Sequence, residues 1–133
     1  MGDCMEDGAH IWLKVGGRVI ADRVIFCSSA ASRGEGLLGL AELRPGEGLL
    51  MAMPRWRRGK KGLMTSIHMV GMRFPIFAAW LDEGGKVVHS TVARAGGLYF
   101  ASPEPAWYVL EAHPDLADTL QEGVVVEWEG VSG

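Results

Sequence analysis

The sequence predicts a mainly β, single-domain fold: a compact sandwich or small barrel of seven or eight short strands with one short C-terminal helix. Three observations lead there. Short apolar or alternating stretches recur along the chain, each closed by a turn-forming cluster. The 19 glycines fall mostly within those clusters, which disfavours long helices. Only Pro114 to Gln121 has the spacing of a buried helix face, with Leu116 and Leu120 at i and i+4. A chain of 133 residues suits one domain that buries roughly two-thirds of its unfolded surface. Residues 1–9 are expected to form a loose N-terminal segment and 10–130 the folded unit.

Taken in order, Ile11, Leu13 and Val15 alternate with Trp12 and Lys14, and Gly16-Gly17 turns them into the largely β-branched stretch Arg18 to Cys27. The two read as an N-terminal hairpin. A glycine-rich loop from Ser28 to Leu43 follows, with room for one or two helical turns at most. Leu49 to Met53 is a short apolar strand, Pro54 to Gly62 a basic loop, and Leu63 to Met69 a further strand that bends at Val70-Gly71. Pro75 to Leu81 is apolar on both alternating sets, so it is expected at the centre, covered on both sides. Asp82 to Gly85 turns it into Lys86 to Ala93. After a loop marked by Gly96-Gly97 and Ser102 to Pro105, Ala106 to Ala112 is a strand. In the helix that follows, Pro114 suits the first turn, Asp115 the positive end, and Gly123 the stop. Val124 to Glu129 alternates as the last, half-buried strand.

Charge and cysteine usage narrow the function classes. The net charge of −3 argues against a dedicated nucleic-acid binder, which shows a basic balance or face. The acidic N-terminus lacks the features of a signal peptide, and no apolar run approaches the ~18 residues of a membrane span, so no membrane partner is expected. Cys4 and Cys27 are too few for a disulfide framework or a four-cysteine metal site. The expected setting is the cytoplasm, with Cys4 free on the terminus, Cys27 buried, and no cofactor.

Candidate chemistry concentrates in a few places. His68, Met69 and Met72 combine imidazole with thioether sulfur, a donor set that suits Cu(I). On a strand, however, His68 and Met69 point to opposite faces, and methionine commonly fills gaps in cores, so packing is the expectation and no metal is assigned. Glu111 shares a strand face with Trp107 and Val109 and is the only carboxylate on that apolar row. Burial raises such a carboxyl's pKa, as in general acids, unless a cation such as Arg73 or Arg33 pairs with it. His89 is expected opposite Ala78 on the central hairpin, His113 at the helix start and His10 on the loose terminus. Arg55, Trp56, Arg57, Arg58, Lys60 and Lys61 interleave cations with an aromatic, as phosphate-tracking loops do, although a solvated loop explains them too. Motifs for nucleophilic catalysis, phosphate cradling and zinc-dependent hydrolysis are absent.

The ordered set "RGEGLLGLAEL", "PGEGLLM", "HMVGMRFPIFAAWLDEGGKVV", "YVLE" and the helix ending at Gly123 resembles domain-of-unknown-function family 192, over roughly residues 18–128. The resemblance implies a small, β-rich prokaryotic domain with no established biochemical activity. Gly36-Leu37-Leu38 matches the family's Gly-Leu-Met, Gly48-Leu49-Leu50 its Gly-Met-Leu, and Pro75 and Asp82 the residues bracketing its central strand. Glu111 closes the Val-Leu-Glu motif. Two departures stand out: His68-Met69-Val70-Gly71 where many members have Trp-Met-Lys-Asn, and Pro75-Ile76-Phe77 where many have Pro-Leu-Asp. Phe77 would thus remove a carboxylate from the polar site.

Together these features favour a non-catalytic binding module for a small molecule or a protein partner. Its site is expected between the 28–44 loop and the central strands, using His68, Arg73 and Glu111, with His89 nearby. One alternative is an acid–base enzyme using Glu111 with His68 or His89. The other is nucleic-acid contact through the 55–61 loop.

Overall fold

In a computed structural model, which describes residues 5–29 and 37–131, seven strands form one sheet. They are β1 (His10–Val15), β2 (Arg18–Cys27), β3 (Glu47–Ala52), β4 (Ile76–Leu81), β5 (Val87–Ala93), β6 (Tyr108–Ala112) and β7 (Glu127–Gly130). The order across the sheet is β5-β4-β6-β3-β2-β1-β7. Only the β2–β3 pairing is parallel; the other five are antiparallel. The fold is therefore mainly β, with a single curled sheet in place of two packed sheets or a closed barrel. Its edges approach each other at one bridge, Lys86 to Val125, flanked by Val87 N–H donating to the Val124 carbonyl at 2.8 Å.

That curl separates two apolar layers. The inner layer gathers Leu13, Phe26, Leu50, Phe77, Leu110 and Trp128, with Val87 from the opposite edge. Residues from both ends of the strand order meet there, so the sheet wraps around them. The outer layer holds Cys27, Leu49, Met51, Ile76, Ala78, Trp80 and Val109 on the strands. Irregular chain covers it, supplying Leu37, Leu43, Met53, Met69 and Ala106. Every residue of β4 is buried, as its doubly apolar sequence requires, because one side meets the inner layer and the other lies under this cover.

Several expectations change. Leu63 to Met69 does not form a strand: Gly62–Thr65 is a 3-10 turn, and Ile67 makes a single bridge to Phe100. The C-terminal helix reduces to a 3-10 turn at Pro114–Leu116, whose N-cap His113 accepts from the Asp115 N–H at 3.1 Å. Leu116 and Leu120 are nonetheless both buried in the inner layer. His10 opens β1 opposite Ile25 and does not lie on a loose terminus. Of the segment expected to be loose, residues 1–4 lie outside the described residues. Gly8 N–H donates to the Phe26 carbonyl, and the Asp7 carboxylate accepts from the Ser28 and Ser29 N–H groups. Cys4 and residues 30–36 of the glycine-rich loop, Arg33 and Gly36 among them, also lie outside the described residues.

Gly48 shows how closely the central strands approach. A Cβ there would lie 2.5 Å from the Glu111 carbonyl oxygen and 3.2 Å from the Ala112 Cβ. Both obstacles belong to the paired strand, so nothing flexible can yield. Gly48→Ala should cost about 3 kcal/mol, at the upper end of overpacking penalties, and lower the melting temperature by roughly 10 °C. Thermal unfolding followed by circular dichroism checks this; a change within a degree would mean that β3 and β6 separate freely.

Candidate functional site

Glu111 lies at the middle of the outer face. It is level with Leu49 on β3 and Ala78 on β4, and beyond them with Ile25 on β2 and Thr91 on β5. The neighbouring row is Cys27, Met51, Val109, Trp80 and His89. The two-residue period of β6 produces this placement: Tyr108, Leu110 and Ala112 enter the inner layer, which leaves Val109 and Glu111 to the outer one.

Glu111 as a whole is 8% exposed. Among the described residues, no hydrogen bond or ion pair reaches its carboxyl. Burial pushes its pKa from the usual 4.5 up to about 7, because an apolar surrounding penalises the charged form. Near neutral pH the group is thus divided between a neutral acid, which can donate a hydrogen bond, and a carboxylate.

The other candidate residues do not gather around it. Arg73 is exposed and forms no ion pair with Glu111, so the expected cationic partner is missing from the described residues. His68 is exposed in the chain that covers the outer face, and its Nδ1 accepts from the Val70 N–H at 3.3 Å. His89 shares the outer face but pairs with Trp80, not Ala78, because the turn sets Asp82 against Lys86 and a register shift between Trp80 and Leu81 adds one residue more. Its ring centroid is 5.4 Å from that of Trp80, and Nδ1 is 3.7 Å from Glu122 Oε1. Two strand spacings and one two-residue step separate His89 from Glu111, about 12 Å between Cα atoms. Phe77 is buried in the inner layer, so its position is on the opposite face from Glu111. The exchange of aspartate for Phe77 therefore removes no group from the Glu111 site.

Thr65 was not anticipated. It is buried at the end of the 3-10 turn over the outer face, and its carbonyl accepts from Trp80 Nε1 at 2.7 Å. Its hydroxyl has no partner among the described residues. The sequence offers little to single it out, since Ser66 and His68 interrupt the same stretch.

The basic loop is partly packed. Arg57 lies 4.6 Å over the Trp56 ring, and Arg58 lies 5.3 Å over Trp107 while donating to the Met53 carbonyl at 3.1 Å. Arg55, Trp56, Lys60 and Lys61 are exposed. A groove of about 420 Å³ beside the β1–β2 turn is lined by Val15, Arg18, Ile20, Asp115 and Thr119, and it contains none of the candidate residues. No group of three or more His, Cys, Asp and Glu side chains among the described residues is arranged to hold a metal ion. No helix among them is long and apolar enough to cross a membrane.

Two solved structures share the fold. A protein of unknown function from Novosphingobium aromaticivorans DSM 12444 is 17% identical, with a TM-score of 0.72 over 96% of each chain. A protein from Sinorhizobium meliloti 1021, described as a "putative transcription regulator", is 19% identical, with a TM-score of 0.73 over 92% of this chain and 95% of that one. At such identities the likeness carries the fold alone. No curated protein matches the chain. The model of the DUF192 family, described as "Uncharacterized ACR", matches residues 11–128, and with nearly the whole domain covered the chain belongs to that family.

Proposed function

We propose that this protein is a non-catalytic binding module for a small, largely apolar ligand that meets Glu111 with a polar group. One observation carries the reading: a carboxyl in the middle of an apolar face has no protein partner among the described residues. Burying an unpaired polar group costs about 1–3 kcal/mol, and a carboxylate kept only for structure is ordinarily paired. A ligand group supplies the missing bond. Its cross-strand neighbours Leu49 and Ala78, and Val109 on its own strand, are all apolar, so Glu111 is the one polar group among them for a ligand to meet. An acid–base mechanism draws less support, since His89 is engaged by Trp80 and Glu122 and His68 faces solvent. The proposed setting is the cytoplasm, where the buried Cys27 stays reduced.

Native mass spectrometry after incubation with a metabolite extract tests the reading. A discrete added mass is expected on the wild-type protein. In Glu111→Gln, which keeps the shape but cannot ionise, it should weaken by about tenfold or more while the melting temperature does not fall, since one hydrogen bond to a charged group contributes about 1.5–3 kcal/mol. An adduct that survives the substitution unchanged would place the ligand elsewhere, and no adduct of any size would remove the reading.

A further inference from the structure

The chain that covers Glu111 also concentrates cations and exposed apolar side chains. Segments 54–75 and 94–106 hold seven basic residues and one acidic residue, whereas the remainder of the chain holds six basic and fifteen acidic residues. Within a chain whose net charge is −3, these two segments are therefore strongly cationic. The two segments run side by side: Lys60 bridges Ala106, Gly62 N–H donates to the Ser102 carbonyl, and Ile67 bridges Phe100. Met69 continues the pairing, with its N–H donating to the Gly97 carbonyl and its own carbonyl accepting from Gly96.

These paired segments carry Leu63 and Leu98, which are 74% and 77% exposed, and Trp56, which is 62% exposed. Tyr99 and Val70 are also exposed. Single exposed leucines are ordinary, but aliphatic tips, aromatics and cations exposed together on two paired segments offer a binding surface. The partner that complements both features is anionic at its surface and hydrocarbon just beneath. A nucleic acid could stack on Trp56 and Tyr99 but would leave Leu63 and Leu98 in water.

We propose that this face docks peripherally on an anionic phospholipid bilayer. Lys60, Lys61 and Arg73 meet the headgroups, Leu63 and Leu98 enter the acyl boundary, and Trp56 lies at the interface, where its amphipathic ring is favoured. Such docking needs no crossing helix; the sequence argument against a membrane concerned spanning segments only. The residues involved are distinct from Glu111, so this docking and the ligand site stand or fall separately.

Sedimentation with phosphatidylcholine vesicles, with and without about one-third phosphatidylserine, tests the proposal. Partitioning should be at least about tenfold stronger on the anionic vesicles and fall about tenfold between roughly 50 and 500 mM salt. The double variant Leu63→Glu, Leu98→Glu should lose about tenfold more, with an unchanged melting temperature because both side chains are exposed. Brominated lipid should quench a tryptophan signal that disappears in Trp56→Phe. Failure to prefer anionic vesicles, or full binding by the leucine variant, would overturn the proposal. Salt-dependent binding of single-stranded RNA by both wild type and the leucine variant, with vesicles ignored, would replace it with a nucleic-acid surface.

Discussion

Between pH 4.5 and pH 8, the wild-type protein should lose about 3 kcal/mol of stability relative to its Glu111→Gln variant. The folded-state pKa of Glu111 is raised to about 7 from the ordinary 4.5. Below pH 4.5, both folded and unfolded chains keep the proton, and the stability linked to this group is complete. From there to about pH 7, the unfolded chain ionises freely while the folded one resists, so stability falls with each pH unit. Above about pH 7 the loss is complete, and a difference of some 2.5 units corresponds to about 3 kcal/mol. The other carboxylates titrate in the same range, but they are common to both proteins and cancel in the difference. Urea unfolding of the pair at several pH values gives the curve directly. Parallel curves would mean that Glu111 ionises normally and is therefore hydrated or paired. A bound ligand that donates to the carboxylate should flatten the curve, because it restores the charged form.

The same residue shows what a sequence can and cannot reveal about such a site. That Glu111 is the lone acid on an apolar row follows from the two-residue period of a strand, and the structure has it there beside Val109, although Trp107 packs against the inner layer. Its isolation does not follow, because pairing depends on where loops carry Arg73, and no local pattern encodes that. The strands themselves were legible wherever alternation or a doubly apolar run met a turn: β2 matches its expected bounds, and β4 and β5 begin one residue late. Leu63 to Met69 departs from a strand because Ile67 and Met69 serve the outer cover and not a ladder. In the 114–121 segment, the i,i+4 spacing correctly marked Leu116 and Leu120 as buried, but burial alone does not require a continuous helix. The positions of Phe77 and His89 depended on register. The face opposite Glu111 takes Phe77, and a turn that sets Asp82 against Lys86, together with a bulge on the β4–β5 hairpin, places His89 against Trp80, where a simple count from the turn sets it against Ala78.

Trp80→Ala should be among the most damaging single substitutions, costing about 3–5 kcal/mol. Trp80 is fully buried, the largest such side chain among the described residues, and it lies in the row next to Glu111. Its removal leaves a large cavity between the sheet and its cover, and it also breaks the Nε1–H bond to the Thr65 carbonyl. That bond fastens the Gly62–Thr65 turn to the outer face. Trp80→Phe separates the two contributions. Phenylalanine retains most of the apolar contact but leaves the buried Thr65 carbonyl unsatisfied, a penalty of about 1–3 kcal/mol. The Thr65 hydroxyl has no partner of its own to compensate. Chemical denaturation of both variants gives the stabilities, and hydrogen exchange at Ser66, Ile67 and Met69 reports whether the cover has loosened. The expected pattern is faster exchange in both variants, with the larger loss of global stability in Trp80→Ala. A loosened cover admits water to the outer face, so in both variants the pKa of Glu111 should also move from about 7 back toward 4.5. If exchange quickens without that movement, the 62–69 segment is not what keeps Glu111 dry.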